Sequence, residues 1–84
     1  MNIKVLGAGC SKCHALDKAV REVVNEMKID ANVEYITDMK KIMEYPILAT
    51  PGLVIDEKLV VAGKVPDKKE LAKYINTAMQ SPSK

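Results

Sequence analysis

Residues 7–13, with the sequence GAGCSKC, join two segments that differ in hydrophobic periodicity. Before them, Asn2–Leu6 is mostly apolar and contains β-branched residues, which predicts a first strand that ends at the glycines. After them, apolar residues recur every three or four positions from Cys13 to Met27, which predicts an amphipathic helix of about four turns. Cys10 falls at the start of this helix, where backbone N–H groups lack partners, whereas Cys13 begins its buried face. The two thiols are therefore predicted to differ in exposure.

A second strand and a short helix are predicted next. Residues 33–36 form the strand, and because a helix connects it to the first strand, the two should pair in parallel. Thr37 or Asp38 can cap a short helix that ends near Tyr45, since Pro46 cannot continue it. The first half of the chain thus predicts the order β-α-β-α.

The second half predicts a hairpin and a final helix. Gly52–Ile55 and residues 59–62 are short β-rich runs, close enough in sequence to pair as an antiparallel hairpin. Asp67 and Glu70 have the spacing of a capping box in front of the apolar stripe of the last helix. The order β-α-β-α-β-β-α predicts an α/β fold with one four-stranded mixed sheet and helices packed on its faces.

Length and composition indicate one globular domain. The chain has 84 residues, and we expect a domain at residues 1–79, present as a monomer, and a disordered tail at residues 80–84. The net charge of +2 is spread without a basic run beside aromatic residues, so we expect no nucleic-acid partner. No stretch reaches the ~18 apolar residues of a membrane helix, and residues 1–6 lack the basic region, long apolar core and cleavage site typical of a signal peptide. We therefore expect no membrane association and a cytoplasmic location.

The spacing of the two cysteines favours chemistry over structural cross-linking. A bond between Cys10 and Cys13 closes a small loop, worth about 2 kcal/mol in the chain-entropy estimate, and joins no distant elements. A dithiol exchanger needs an exposed thiolate that attacks a substrate disulfide and a second thiol that breaks the mixed disulfide. The helical positions predict Cys10 as the nucleophile and Cys13 as the resolving thiol.

Two other chemistries use the same spacing. Copper and zinc chaperone domains also place Cys-x-x-Cys between a first strand and an amphipathic helix, although their element order differs from the one predicted here. Two thiolates alone leave a tetrahedral zinc site two ligands short. With His14, the motif also fits the Cys-x-x-Cys-His pattern of covalent haem attachment, but His14 is predicted on the polar helix face, as a surface histidine pointing away from Cys13. We therefore expect no metal and no cofactor other than the cysteine pair itself.

The segment Ala-Thr-Pro-Gly at residues 49–52 precedes the predicted third strand. Together with the Cys-x-x-Cys motif after the first strand and the element order, it resembles the thioredoxin superfamily, over about residues 2–79. The likeness is greatest to the small glutaredoxin-like and thioredoxin-like redox-active disulfide proteins of archaea and bacteria. The resemblance implies a thiol–disulfide oxidoreductase that serves electron transport and cell redox homeostasis. It also implies a cis peptide bond at Pro51 and contact of Thr50 and Pro51 with the substrate backbone.

The departures from this family pattern bear on the electron donor. Ser11 and Lys12 stand where glutaredoxins have Pro-Tyr, and the Gly-Gly and acidic cluster that hold glutathione are not evident around Gly63. A protein reductase such as a thioredoxin reductase is therefore the expected donor, and disulfide-containing proteins are the expected substrates. The first strand also lacks the acidic residue that thioredoxins keep there.

Two further side-chain types have ordinary structural interpretations. Tyr45, at the end of the short helix, is expected to pack with its hydroxyl group in water. Methionines on the predicted helical stripes are expected to fill the core. They are Met27, Met39, Met43 and Met79.

Overall fold

The elements of the computed structural model, which describes residues 1–80, follow the predicted order. Their bounds are β1 Asn2–Leu6, α1 Ser11–Met27, β2 Asn32–Ile36, α2 Met39–Ile42, β3 Gly52–Ile55, β4 Lys58–Ala62 and α3 Lys68–Gln80. Helix α3 thus includes Gln80, the first residue of the predicted tail. The rest of the predicted tail, residues 81–84, lies outside the described residues.

The four strands form one mixed sheet in the order β2-β1-β3-β4. Strand β1 pairs in parallel with β2 and antiparallel with β3, which in turn pairs antiparallel with β4. The predicted α/β fold with a thioredoxin-like, four-stranded mixed sheet is confirmed. At one end of the strands, the last row of paired residues across the sheet is Ile36, Leu6, Gly52 and Ala62. We call this end of the sheet, which is not an edge strand, the upper edge. Helix α1 begins beyond it.

The two faces of the sheet are covered by different helices. Helices α1 and α3 pack on one face, where Leu16 and Leu71 meet Val5 and Leu53 in the main core. Helix α2 covers the other face, where Ile42 packs against Leu6 and Val54 in a smaller cluster. Alternate residues of β1 and β3 point to opposite faces, so both clusters draw on the same strands. Within residues 1–80 no helix has the combination of length and hydropathy that crossing a bilayer requires.

The placement of the methionines corrects one prediction. Helix α2 has only four residues, and Ile42 is its buried residue, so the helix ends before Tyr45 and has little buried face. Met39 and Met43 are accordingly exposed, at 53% and 74%, and Met79 in the last turn of α3 is 50% exposed. Met27 alone among the four packs partly buried against the main core. The prediction of core methionines was wrong for the other three.

The β3–β4 hairpin turns at the end of the sheet opposite the upper edge. Its two connecting residues, Asp56 and Glu57, both have positive φ, at 48° and 69°, as two-residue hairpin turns favour. The Glu57 carboxylate accepts hydrogen bonds from Lys4 Nζ at 2.8 Å and from the Tyr45 hydroxyl at 2.9 Å. These bonds hold the pKa of Glu57 below its usual range and raise that of Lys4. Tyr45 therefore links the segment after α2 to the hairpin.

Candidate functional site

Cys10 is the N-cap residue of α1. Its backbone is extended, and its Sγ accepts a hydrogen bond from the backbone N–H of Cys13 at 3.2 Å. The carbonyl of Cys10 accepts the first helical hydrogen bond, from the N–H of His14 at 3.0 Å. The residue is exposed. Its sulfur therefore lies where the positive end of the helix dipole and unpaired N–H groups favour a thiolate.

Cys13 is fully buried and forms a disulfide with Cys10. The Cα atoms of the pair are 5.1 Å apart, within the usual range for a disulfide. The predicted difference in exposure between the two thiols is confirmed. An incoming thiolate therefore has access to the Cys10 side of the bond, because access helps to decide which sulfur is attacked.

Gly7 brings β1 into close contact with the buried cysteine. It follows the last residue of β1, is buried, and donates its N–H to the carbonyl of Ile36 at 3.0 Å. A Cβ at this position would collide with Sγ and Cβ of Cys13. The sequence interpretation treated Gly7 only as a strand end. The glycine predicts a turn at this position, but its contact with Cys13 is seen only in the structure, where α1 packs back against β1.

The Thr50–Pro51 peptide bond is cis, as the family resemblance implied. Pro51 is buried and Thr50 is exposed. Gly52 pairs with Leu6, so Pro51 and Gly7 each lie one residue beyond this last pair of neighbouring strands. The structure thus brings the segment of Pro51 to the same edge as the disulfide.

A third segment joins the site through Gly63. Its N–H donates to the carbonyl of Pro51 at 2.8 Å, and its φ is +79°. A Cβ on Gly63 would lie 3.0 Å from Cβ of Ala49, so the two segments are tightly packed. In the sequence, Gly63 is noted only in connection with glutathione, and its contact with Pro51 is not predicted. A glycine after a strand indicates a turn in the sequence, but the contact of Gly63 with Pro51 depends on the register between β3 and β4.

His14 and the surrounding groups bear on the two alternative chemistries. His14 is exposed, as predicted, and its ring lies edge-on to Tyr35, with the ring centroids 5.4 Å apart. Within residues 1–80, no group of three or more His, Cys, Asp or Glu side chains is arranged to hold a metal ion. The same residues include no buried charged side chain, so no carboxylate is buried beside Cys13.

Comparison with known proteins gives consistent matches over most of the chain. Residues 1–76 match the family model described as thioredoxin domain. A thioredoxin of Methanothermobacter thermautotrophicus is 41% identical over 76 residues, which is 90% of this chain and 99% of the relative. A thioredoxin of Methanocaldococcus jannaschii is 32% identical over 78 residues, which is 93% of this chain and 90% of that relative. Nothing in these matches supports the alternative of a soft-metal chaperone.

Proposed function

The chain belongs to the thioredoxin domain family and is a thiol–disulfide oxidoreductase, and we propose that it reduces protein disulfides through an ordered pair of cysteines. The observation that supports this order is the contrast between the two ends of one disulfide. Cys10 is exposed at a helix cap, and Cys13 is fully buried on the inner face of the same helix. Only one of the two sulfurs is therefore open to a protein-sized substrate.

In the first step, the thiolate of reduced Cys10 attacks one sulfur of the substrate disulfide. The S–S bond of the substrate breaks, a bond from Cys10 Sγ to the substrate forms, and the other substrate sulfur leaves as a thiolate that takes up a proton. The N–H of Cys13, which lies 3.2 Å from Cys10 Sγ in the oxidised protein, is a suitable donor to the attacking thiolate.

In the second step, Cys13 loses its proton and attacks Cys10 Sγ. The mixed disulfide breaks, the Cys10–Cys13 disulfide forms, and the second substrate sulfur leaves as a thiolate. Once the second thiolate is protonated as well, the substrate has gained two electrons and two protons, and the dithiol form of the protein has lost the same number. Because no buried carboxylate lies beside Cys13 among residues 1–80, we assign its proton to the departing substrate thiolate or to water.

The oxidised pair must be reduced again by an external two-electron donor. We propose the dithiol of a protein reductase, of the thioredoxin reductase kind, which would exchange with Cys10 by the reverse of the same steps. The electrons are carried by the cysteine pair itself, so the proposed cycle uses no further cofactor.

We assign substrate alignment to Thr50 and Pro51. Buried Pro51 fixes the segment at the upper edge, and exposed Thr50 precedes it. An extended substrate segment can pair with the backbone at exposed Thr50 in the manner of an added strand. Such pairing would hold the substrate disulfide over Cys10.

A turnover assay tests the proposed order of the cysteines. The substrate is a disulfide-linked peptide dimer, and the donor is dithiothreitol at a concentration too low to reduce that dimer itself. We expect catalysis by the wild-type chain and at least about a 100-fold loss for Cys10→Ser, because the accessible thiolate is removed. Full activity of Cys10→Ser, or the lack of a reversible two-electron thiol couple in the pure protein, would refute the proposal.

A further inference from the structure

Three segments join the sheet at the upper edge, and the first of them carries the exposed cysteine of the disulfide. They are residues 7–12, 46–51 and 63–66, and we call their combined surface the loop face. The first contains Cys10, the second contains Pro51, and the third is held to the second by the bond from Gly63 N–H to the carbonyl of Pro51. The second and third segments are therefore bonded to each other, and the first follows β1, the neighbour of β3 in the sheet.

The loop face exposes apolar side chains. Leu48, three residues before Pro51, is 101% exposed, and Val65, two residues after Gly63, is 37% exposed. A leucine gains nothing from such exposure in the isolated chain. Exposed apolar groups at the same end of the sheet as a reactive sulfur are typical of a surface that a partner covers.

The charge of the loop face is of one sign. Lys12 and Lys64 are both exposed, and the three segments contain no Asp or Glu. The whole chain is nearly balanced, with 13 basic and 11 acidic residues, so this local excess does not follow from overall composition. The acidic residues that border these segments in the sequence are Glu44 and Asp67, and the Asp67 carboxylate caps α3 by accepting the N–H of Glu70 at 2.9 Å.

We propose that the loop face selects a partner segment that carries carboxylates next to its disulfide cysteine and an apolar side chain for Leu48. This inference rests on the proposed reduction of protein disulfides. Lys12 belongs to the helix that carries Cys10, and Lys64 belongs to the segment packed on Pro51. A segment lying across Cys10 would therefore meet a cation on the helix side and another on the Pro51 side. Basic substrates would be disfavoured by the same two charges.

The expected size of the effect follows from exposed charge pairs. Rim charges of this kind change the association rate and its salt dependence more than the final affinity. Each such pair is worth about a two- to fivefold change in rate, which salt screens. The signature of the proposal is therefore a modest, salt-sensitive discrimination between substrates that differ only in charge.

Three disulfide-linked peptides test the proposal. They share length and apolar residues, and Glu, Gln or Lys flanks the cysteine. We expect the Glu peptide to be reduced with a kcat/KM about tenfold above that of the Lys peptide at low salt, and a ratio near one at about 0.5 M salt. Lys64→Gln and Lys12→Gln should each lower the Glu/Lys ratio by at least about twofold. The matched control is Lys58→Gln, because Lys58 is exposed at the hairpin end of the sheet and its loss should leave the ratio unchanged.

The ratio separates selection from reactivity. A change in thiolate reactivity, which Lys12→Gln can cause, alters the rates of all three peptides alike and cancels in the ratio. Equal rates for the three peptides, or a ratio that neither loop-face variant changes, would overturn the inference while leaving the proposed function intact. If none of the peptides is reduced, the proposed function itself fails and the inference fails with it.

Discussion

Gly7 connects the sheet to the buried cysteine, because the absence of a side chain lets β1 approach Cys13. The neighbouring atoms cannot easily move: Sγ and Cβ of Cys13 are fixed by the helix and, in the oxidised form, by the disulfide. Gly52, on the paired strand, presents a contrast. A Cβ there would meet Cδ1 of Ile47, the far end of a flexible side chain.

This contrast predicts that replacing glycine by alanine lowers the free energy of unfolding by different amounts at positions 7 and 52. Gly7→Ala should lower the free energy of unfolding by about 1–3 kcal/mol, since the added methyl group overpacks a rigid contact. Gly52→Ala should cost less, because the Ile47 side chain can rotate away. Urea unfolding of both oxidised variants measures the difference, and a greater loss for Gly52→Ala would contradict this description of the site.

The asymmetry of the cysteines could be predicted from sequence, whereas their neighbours could not. Helical periodicity fixes which cysteine lies at the cap and which faces inward, and that prediction depends on local residues alone. The contacts of Gly7 with Cys13 and of Gly63 with Pro51 join residues that are distant in sequence or on different elements. The packing of α1 against β1 decides the contact of Gly7, strand register decides the contact of Gly63, and the local sequence specifies neither.

At the scale of elements, the hairpin turn is tied to the sheet by the Glu57 carboxylate. Its hydrogen bonds with Lys4 and Tyr45 lower the pKa of Glu57 in the folded protein relative to the unfolded chain. A carboxyl group of this kind contributes stability above its unfolded pKa, and that contribution is lost as the pH falls through the folded pKa. The affected window therefore begins near pH 4.5, the ordinary pKa of a glutamate side chain, and extends to lower pH.

The corresponding prediction concerns Glu57→Gln. Its Tm should be lower than that of the wild type at pH 7, and the difference should shrink as the pH falls below about 4.5, where the wild-type carboxylate becomes protonated. Thermal unfolding followed by circular dichroism across this range measures it. Asp30→Asn, in an exposed connection, is the control for loss of one negative charge. A Tm difference that stays constant down to pH 2 would show that the charge of Glu57 is not the cause.

The start of α3 allows a second prediction at this scale. The Asp67 carboxylate accepts the N–H of Glu70 at 2.9 Å, as the capping pattern in the sequence indicated. Asp67→Ala should lower the free energy of unfolding by about 1 kcal/mol. Asp67→Asn should lower it much less, because asparagine also caps helices. Equal losses for the two variants in urea unfolding would contradict the capping role.

Element boundaries were predictable where a local signal exists. The caps Asp38 and Asp67 and the terminating glycines of β1 and β4 mark their elements in the sequence. The length of α2 was not predictable, because its apolar residues continue the helical spacing up to Tyr45 although only one turn forms. Tyr45 bonds instead to Lys4 and Glu57, and this tertiary contact has no local signature.

At the scale of the whole molecule, the helices cover the two faces of the sheet but leave its upper edge open, and the exposed Cys10 lies at that edge. Helices α1 and α3 cover one face of the sheet, and α2 covers the other. The element order and the family resemblance were sufficient to predict this architecture. The loop face was not predicted, since its three segments are separated in sequence and its single sign of charge emerges only when they are brought together.

Leu48 provides the prediction that belongs to this scale. Because its side chain is fully exposed, Leu48→Ser should change the free energy of unfolding by less than about 0.5 kcal/mol. It should nevertheless lower kcat/KM for a protein disulfide by roughly fivefold, through loss of apolar contact with the substrate. Met79→Ser, also at an exposed apolar position but at the far end of α3, is the matched control for the kinetic effect. An equal kinetic loss in both variants would remove the case for a contact at Leu48.

The central claim is that Cys10 attacks the substrate and Cys13 resolves the mixed disulfide. Covalent trapping with a disulfide-linked peptide dimer, analysed by intact mass without reductant, tests it most directly. Reduced Cys13→Ser should accumulate an adduct of one peptide on Cys10, because the thiol that would release it is gone, and reduced Cys10→Ser should accumulate none on the same timescale. An adduct on Cys13 in Cys10→Ser, formed as fast as the one on Cys10, would contradict the proposed order.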